Sequence, residues 1–86
     1  MAPRKRIPKE SEVQFRVQLG MVVRDLRKPE MNQDDFADQV GVYRSHMGLI
    51  EQGKLDLRLS TLQALADALG MPLSSLIKRA EKRQEG

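Results

Sequence analysis

The chain has 86 residues, a formal net charge of +3 and no internal repeat, which is enough for one small domain. It contains no cysteine, which excludes disulfides, cysteine nucleophiles and thiolate metal sites. No apolar run approaches the ~18 residues that cross a bilayer, and the basic start lacks the apolar segment of a signal peptide. We therefore expect a cytoplasmic protein without a membrane partner.

The charged residues are unevenly distributed along the chain. Residues 1–9 carry four basic side chains and no acidic one, residues 78–86 carry four basic and two acidic ones, and the body between them carries seven basic and ten acidic ones. We expect a basic flexible arm at 1–10, a folded domain at 11–80 and a charged tail at 81–86. The arm either attracts a polyanion, with an affinity that falls with salt, or is a solvated tail. The sequence leaves both interpretations open.

Apolar residues recur at helical spacing along the body, and no segment alternates like a strand, so we predict an all-α fold. The five predicted helices span residues 11–28, 33–39, 43–52, 60–69 and 72–80. Ser11 with Gln14 and Ser60 with Gln63 have the spacing of a capping box, which places the starts of the first and fourth helices. Asn32 is the expected cap of the second helix.

The second and third predicted helices carry the pattern of a helix-turn-helix unit, in which two helices meet at roughly 90–120° through a short turn. Ala37 provides the small side chain that lets the helices cross closely, and Gly41 supplies the positive φ that the turn requires. The apolar positions that would pack this unit against the core are Phe36, Val40, Val42, Met47 and Ile50. Such a unit presents its second helix to a DNA groove, so we expect double-stranded DNA as the partner.

Five helices with this unit at the second and third resemble the lambda-repressor-like, or Xre, family over residues 19–77. The string IEQG at residues 50–53 is similar to the end of that family's recognition helix. The string LQALADAL at residues 62–69 is similar to its fourth helix. Residues 44–48 together with 59–62 also resemble controller proteins of restriction–modification systems, which are a small dimeric subgroup.

This resemblance implies a compact five-helix domain and a sequence-specific transcriptional regulator that binds a palindromic operator as a homodimer. It also implies that Arg27, near the end of the first helix, pairs with Glu51. The linker before Gln33 is one residue shorter than in the family, which leaves the register of Arg27 open. Tyr43 stands where the family has Ser or Thr, so we expect the third helix to start without a side-chain cap.

Four side chains of the third helix are candidates for reading base edges: Arg44, Ser45, His46 and Leu49. Arg44 can donate two hydrogen bonds to guanine, and the alternatives are a phosphate contact or a solvated arginine. Ser45 contacts a base or stabilises the first turn, and Leu49 touches a thymine methyl or simply packs. His46 is the single histidine and contacts DNA or is solvated, so no histidine metal site and no cofactor are expected.

The candidates for phosphate contacts flank this helix and are Gln33, Tyr43, Gln52, Lys54 and Arg58. Gln33 lies where the second helix points its N-terminal N–H groups at a phosphate, a role that the resemblance supports. Lys54 and Arg58 are also interpretable as solvated loop charges, and Asp56 between them weakens the interpretation as a phosphate clamp.

The last helix carries the candidates for a dimer surface, which are Leu73, Leu76 and Ile77. These side chains either join two protomers or close the core of each monomer. An antitoxin-type DNA-binding protein that also binds a protein partner is the alternative function. An enzyme is the weakest hypothesis, because no nucleophile–base or metal constellation can be assembled from these residues.

Overall fold

The computed structural model describes residues 7–86, which form five α-helices and no strand. The helices are α1 (Glu10–Arg27), α2 (Gln33–Val40), α3 (Arg44–Glu51), α4 (Leu59–Ala68) and α5 (Leu73–Glu85). The predicted all-α, five-helix fold is therefore confirmed. Within the described part, no helix combines the length and the apolar character that a bilayer crossing requires. Arg4, Lys5 and Arg6 of the expected basic arm lie outside the described residues.

The N-caps of the first and fourth helices, Lys9 and Arg58, lie two residues before Ser11 and Ser60, which the capping boxes predicted as caps. At the start of α1, the backbone N–H of Lys9 donates to the Glu12 carboxylate at 2.7 Å, so Glu12 closes the first turn and Ser11 does not. No side chain caps α4, and Ser60 lies inside the helix. Both expectations were wrong because the capping-box spacing does not decide between neighbouring caps: a competing contact of the Lys9 backbone with Glu12 forms at α1, and α4 begins without a side-chain cap.

The segment α2–turn–α3 has the helix-turn-helix geometry that the sequence predicts. Asn32 caps α2 through its Oδ1 atom, which accepts a hydrogen bond from the backbone N–H of Asp35 at 2.8 Å. Gly41 ends the helix with a φ of +90°, in the left-handed region that favours glycine, and its N–H donates to the carbonyl of Ala37. Tyr43 takes the N-cap position of α3 without a side-chain hydrogen bond, as expected from its size.

One hydrophobic core joins the five helices. Its buried members are Leu19, Val22, Val23, Phe36, Ala37, Met47, Ile50, Leu65, Ala66, Leu76 and Ala80. Val40 and Val42 are half-buried and pack against it, so every apolar position predicted for the helix-turn-helix unit contributes to the core. Burial of each large aliphatic side chain stabilises the fold by roughly 1.5–3 kcal/mol.

Helix α1 passes close to the end of α3 at Gly20. A Cβ atom added to this glycine would lie 2.5 Å from the carbonyl oxygen of Glu51 and 2.6 Å from that of Ile50. Both distances are shorter than van der Waals contact, so no larger residue fits without movement of a helix. The glycine therefore sets the spacing at which α3 rests on α1.

Helix α5 contributes to the core and extends further than expected. Leu76 is 0% exposed, so its assignment to a dimer surface was wrong: the side chain closes the core of the monomer. Leu73 and Ile77 are half-buried and stay candidates for that surface. Residues 81–85, which were assigned to a charged tail, continue α5 as exposed helical turns.

Candidate nucleic-acid interface

Helix α3 presents one face to the core and the other to solvent. Its buried residues are Met47, Ile50 and Glu51. The exposed side chains on the helix and its two caps are Tyr43, Arg44, Ser45, His46, Leu49 and Gln52. The outward presentation of this helix is therefore confirmed, and all four candidate base readers lie on its accessible side. A helix exposed in this way can enter the major groove of a duplex.

A buried ion pair fixes the C-terminal end of α3 to α1. The Nε atom of Arg27 donates to Oε2 of Glu51 at 3.0 Å, and Nη2 donates to Oε1 at 2.8 Å. Nη1 of the same guanidinium donates to the carbonyl of Met31 at 3.3 Å, which ties in the linker before α2. The pairing of Arg27 with Glu51 that the family resemblance implied is therefore confirmed. Its bidentate geometry holds α3 in one orientation.

Gln33 joins this ion pair from the first residue of α2. Its side-chain amide donates to Oε1 of Glu51 at 3.1 Å, and the residue is half-buried. The side chain therefore has a structural partner that the sequence interpretation did not foresee. It links the start of α2 to the end of α3, so the two helices of the unit are held together at this edge.

A second ion pair lies on the surface at the other end of α3. The Nε atom of Arg44 lies 2.8 Å from Oδ1 of Asp34, in the first turn of α2, and their side chains are 68% and 64% exposed. The sequence interpretation used Asp34 only as an acid near the positive end of the α2 dipole. The sequence does contain an indication of this pair. Asp34 and Arg44 have opposite charges and lie in the first turns of two consecutive helices of the helix-turn-helix unit.

Two basic residues at the C-terminal end of α1, Arg24 in its last turn and the C-cap residue Lys28, were also missed. Arg24 and Lys28 line a cleft of about 280 Å³ between α1 and α3, together with Gln33, Gly48 and Gln52. Both basic side chains are exposed and lie four residues apart, so they share one face of the helix. The spacing alone could have indicated this face, but its position beside α3 depends on the packing at the core.

Two of the candidates for phosphate contacts, Lys54 and Arg58, follow α3 in the loop before α4. Lys54 and Arg58 are exposed, as a phosphate contact or a solvated charge requires. Asp56, between them, lines a groove with Phe15 and Arg16 in the N-terminal half of α1. Asp56 therefore lies beside α1, and it forms no ion pair with Lys54 or Arg58.

His46 is exposed on α3 and has no metal-ligating neighbours in the described region. Across residues 7–86, no group of three or more histidine, aspartate or glutamate side chains is placed to hold a metal ion. The exposed residues of α3 instead offer hydrogen-bond donors and acceptors, which is the chemistry of base and phosphate recognition.

Comparison with known proteins identifies relatives with this arrangement. A family model described as "Helix-turn-helix domain" matches residues 18–76. The chain is 32% identical over 70 residues to "Control protein C.MunI" from Mycoplasma sp, and the match covers 79% of this chain and 95% of that protein. These matches confirm the resemblance to helix-turn-helix and controller proteins.

Solved structures give the same result. The restriction-modification controller protein C.AhdI from Aeromonas hydrophila is 31% identical, with a TM-score of 0.66 over 70% of this chain and 92% of that one. The clp gene regulator ClgR from Corynebacterium glutamicum is 19% identical, with a TM-score of 0.77 over 83% and 77%, which shows a shared fold. These relatives are described as control proteins or gene regulators. The chain therefore belongs to the helix-turn-helix domain family and is a DNA-binding transcriptional regulator.

Proposed function

We propose that the chain binds a palindromic operator as a homodimer in the cytoplasm and controls transcription of a restriction–modification system, without enzymatic activity of its own. The observation that carries this proposal is the exposed face of α3, which is held outward by the buried pair of Arg27 and Glu51. The similarity to C.MunI and C.AhdI supports the class of genes that is controlled.

Base recognition would come from the first turns of α3. In a helix-turn-helix complex, the N-terminal residues of the second helix approach base edges while the first helix crosses the backbone. Arg44 would donate two hydrogen bonds to O6 and N7 of a guanine, and Ser45 would donate to or accept from a neighbouring base edge. His46 and Leu49 lie further along the exposed side and would contact the next base pairs, Leu49 through a thymine methyl.

Phosphate contacts would flank this helix on both sides. On one side, the first turn of α2 at Gln33 and the basic cleft with Arg24 and Lys28 would hold one strand. On the other side, Lys54 and Arg58 after α3 would hold the opposite strand. Tyr43 and Gln52 cap the two ends of α3 and would position it between the strands.

A dimer would supply the specificity that one helix lacks. Two recognition helices about 34–36 Å apart match half-sites one helical turn apart, which explains why symmetric operators suit such proteins. Leu73 and Ile77 are both half-buried on α5. Among the described residues, Leu73 packs against the core and Ile77 does not. We therefore place Ile77 at the centre of the dimer surface, with Leu73 at its edge.

Selection of bound sequences from random duplex DNA at moderate salt tests the DNA part of the proposal. We expect a two-fold symmetric sequence whose half-sites are centred about 10 base pairs apart. Selection of one asymmetric half-site would overturn the dimeric operator. Recovery of no preferred sequence would overturn specific recognition altogether.

Sedimentation at micromolar concentration tests the dimer. We expect the wild type to sediment as a dimer and Ile77→Lys as a folded monomer, because a charge at this position cannot be buried unpaired in an interface. Lys78→Ala, at the exposed neighbouring position, is the matched control and should stay dimeric. A wild type that is monomeric even with DNA would contradict the proposal, and co-purification of a second small protein would favour the antitoxin alternative.

A further inference from the structure

The surface ion pair between α2 and α3 leads to an inference about how the base-reading arginine is oriented. We propose that Asp34 is a positioning residue: its carboxylate holds the guanidinium of Arg44 in the orientation that reads a guanine, and so raises specificity without contacting a base. This inference rests on the proposed function, in which Arg44 enters the major groove.

The atoms involved decide which edge of the guanidinium is available. A guanidinium has five N–H donors in one rigid plane, with the Nε–H on one edge and the two outer nitrogens at the tip. The contact of 2.8 Å joins Nε of Arg44 to Oδ1 of Asp34. The carboxylate therefore approaches the guanidinium at Nε, and neither Nη group at the tip donates a hydrogen bond to another described residue. Two parallel donors at the tip match O6 and N7 of guanine.

Because the pair is exposed, restraint of the Arg44 side chain before binding can raise the affinity for DNA. Both side chains are about two-thirds exposed, so the protein itself places no wall around the guanidinium. A free arginine side chain loses about 0.5–1.5 kcal/mol of conformational freedom when it is immobilised at an interface, which corresponds to roughly a two- to tenfold weaker complex. A side chain that Asp34 already restrains loses less on binding.

The carboxylate of Asp34 also affects binding to DNA that lacks the guanine. On DNA without the guanine, an unrestrained arginine can turn to a phosphate and recover part of the lost energy. Asp34 competes for the guanidinium in that case, and its negative charge is repelled by the phosphates. Specificity is a difference of affinities, and repulsive elements of this kind increase it.

Asp35 provides a matched control for this inference. It follows Asp34 in the same first turn of α2, is also exposed, and has its backbone N–H bonded to the cap residue Asn32. Asp34→Asn and Asp35→Asn therefore remove the same charge from the same end of the helix. Only Asp34→Asn also weakens the contact with Arg44.

The experiment measures binding to the selected operator and to operators in which each guanine of a half-site is replaced by adenine. The variants are wild type, Asp34→Asn, Asp35→Asn, Arg44→Ala and the double variant Asp34→Asn with Arg44→Ala. The guanine whose replacement no longer matters in Arg44→Ala is the one that this arginine reads. Thermal unfolding of each variant confirms that it is folded.

At that guanine, we expect Asp34→Asn to reduce discrimination by about three- to tenfold, and Asp35→Asn to leave it unchanged. Both variants should bind unrelated DNA more tightly, since each loses a negative charge. In the Arg44→Ala background, Asp34→Asn should have no further effect on discrimination.

Two results would overturn the inference while the proposed function stands. The first is an Asp34→Asn variant that behaves like Asp35→Asn at every base position. The second is an Arg44→Ala variant that loses affinity equally on all sequences, since Arg44 would then contact phosphate. A wild type that selects no sequence would instead overturn the proposed function, and the inference with it.

Discussion

Two arginine–carboxylate pairs hold α3, one at each end, and they differ in burial. The pair of Arg27 and Glu51 at the C-terminal end is buried and bidentate, with side chains 9% and 4% exposed. The pair of Arg44 and Asp34 at the N-terminal end is exposed, and its closest contact joins Nε to Oδ1 at 2.8 Å. The buried pair fixes where the helix lies on the scaffold, whereas the exposed pair is the one that we propose to orient a base-reading side chain.

The physical reason lies in the surroundings of each charge. Removal of one partner from a buried pair leaves an unpaired charge away from water, which costs several kcal/mol. Removal of one partner from an exposed pair leaves a charge that water solvates, so the loss is about 0–1 kcal/mol. Stability should therefore depend on the C-terminal pair, and recognition on the N-terminal pair.

The largest effect is expected from Glu51→Ala, which breaks the buried pair. The variant leaves the Arg27 guanidinium buried without its carboxylate and also removes the partner of the Gln33 amide. We expect the free energy of unfolding to fall by about 3–5 kcal/mol, measured by urea denaturation. The double variant Arg27→Met with Glu51→Leu should lose much less, because no buried charge remains. A loss below about 1 kcal/mol for Glu51→Ala would contradict the structural role of this pair.

The next effect concerns the close approach beside the buried pair. Gly20→Ala places a Cβ 2.5 Å from the carbonyl oxygen of Glu51, so α1 and α3 must separate. We expect a loss of about 1–3 kcal/mol in the free energy of unfolding, measured by urea denaturation. Gly48→Ala is the matched control, because its Cβ would meet nothing within 4 Å. It should stabilise the protein by about 0.5–1 kcal/mol through helix propensity. Two changes of the same sign would contradict this account.

The exposed pair is tested first through recognition. Arg44→Ala should weaken binding to the selected operator by about 1–3 kcal/mol and scarcely change the affinity for unrelated DNA, as measured by fluorescence anisotropy. The free energy of unfolding should stay within about 1 kcal/mol of the wild type, because the side chain is 68% exposed. A uniform loss of affinity on every sequence would assign Arg44 to a phosphate.

The two ends of α3 also differ in how well the sequence predicts them. Helical periodicity, the small residue Ala37 and the glycine at position 41 depend on local geometry, so the sequence predicted the helix-turn-helix unit and its exposed face. The buried pair was found only through the family resemblance, since its partners are 24 residues apart. Leu76 was misplaced because helical spacing identifies an apolar face and cannot tell a core from a dimer surface.

The features that the sequence did not predict depend on how helices meet. Asp34 and Arg44 belong to different helices, and their contact follows from the crossing of α2 and α3. Arg24 and Lys28 become part of the candidate interface because Gly20 lets α1 lie close to α3. The helix starts expected at Ser11 and Ser60 were wrong because spacing alone does not show which side chain forms the cap: Glu12 accepts from the backbone N–H of Lys9, and α4 has no side-chain cap.

A smaller effect is expected at the cleft between the two ends. Lys28→Gln removes a basic side chain that we place against a phosphate, so binding should weaken on all sequences alike. The slope of log affinity against log salt should become shallower by about 1, measured over a salt titration. Lys78→Gln makes the same change in charge at an exposed position of α5 that does not line the cleft, and should leave the slope unchanged. Equal slopes for Lys28→Gln and the wild type would exclude Lys28 from the interface.

The smallest effect is expected on the free energy of unfolding of Asp34→Asn. This change contrasts most strongly with the large loss expected for Glu51→Ala. The variant loses an exposed ion pair and one favourable charge at the positive end of α2, which together should reduce the free energy of unfolding by about 1 kcal/mol or less. Asp35→Asn should lose a similar amount from the helix dipole alone. Because both charges are exposed, salt should screen these losses, whereas the loss in Glu51→Ala should persist at high salt. If Asp34→Asn instead destabilised the protein as much as Glu51→Ala, the N-terminal pair would be structural. The difference in burial between the two pairs would then not correspond to a difference in their roles.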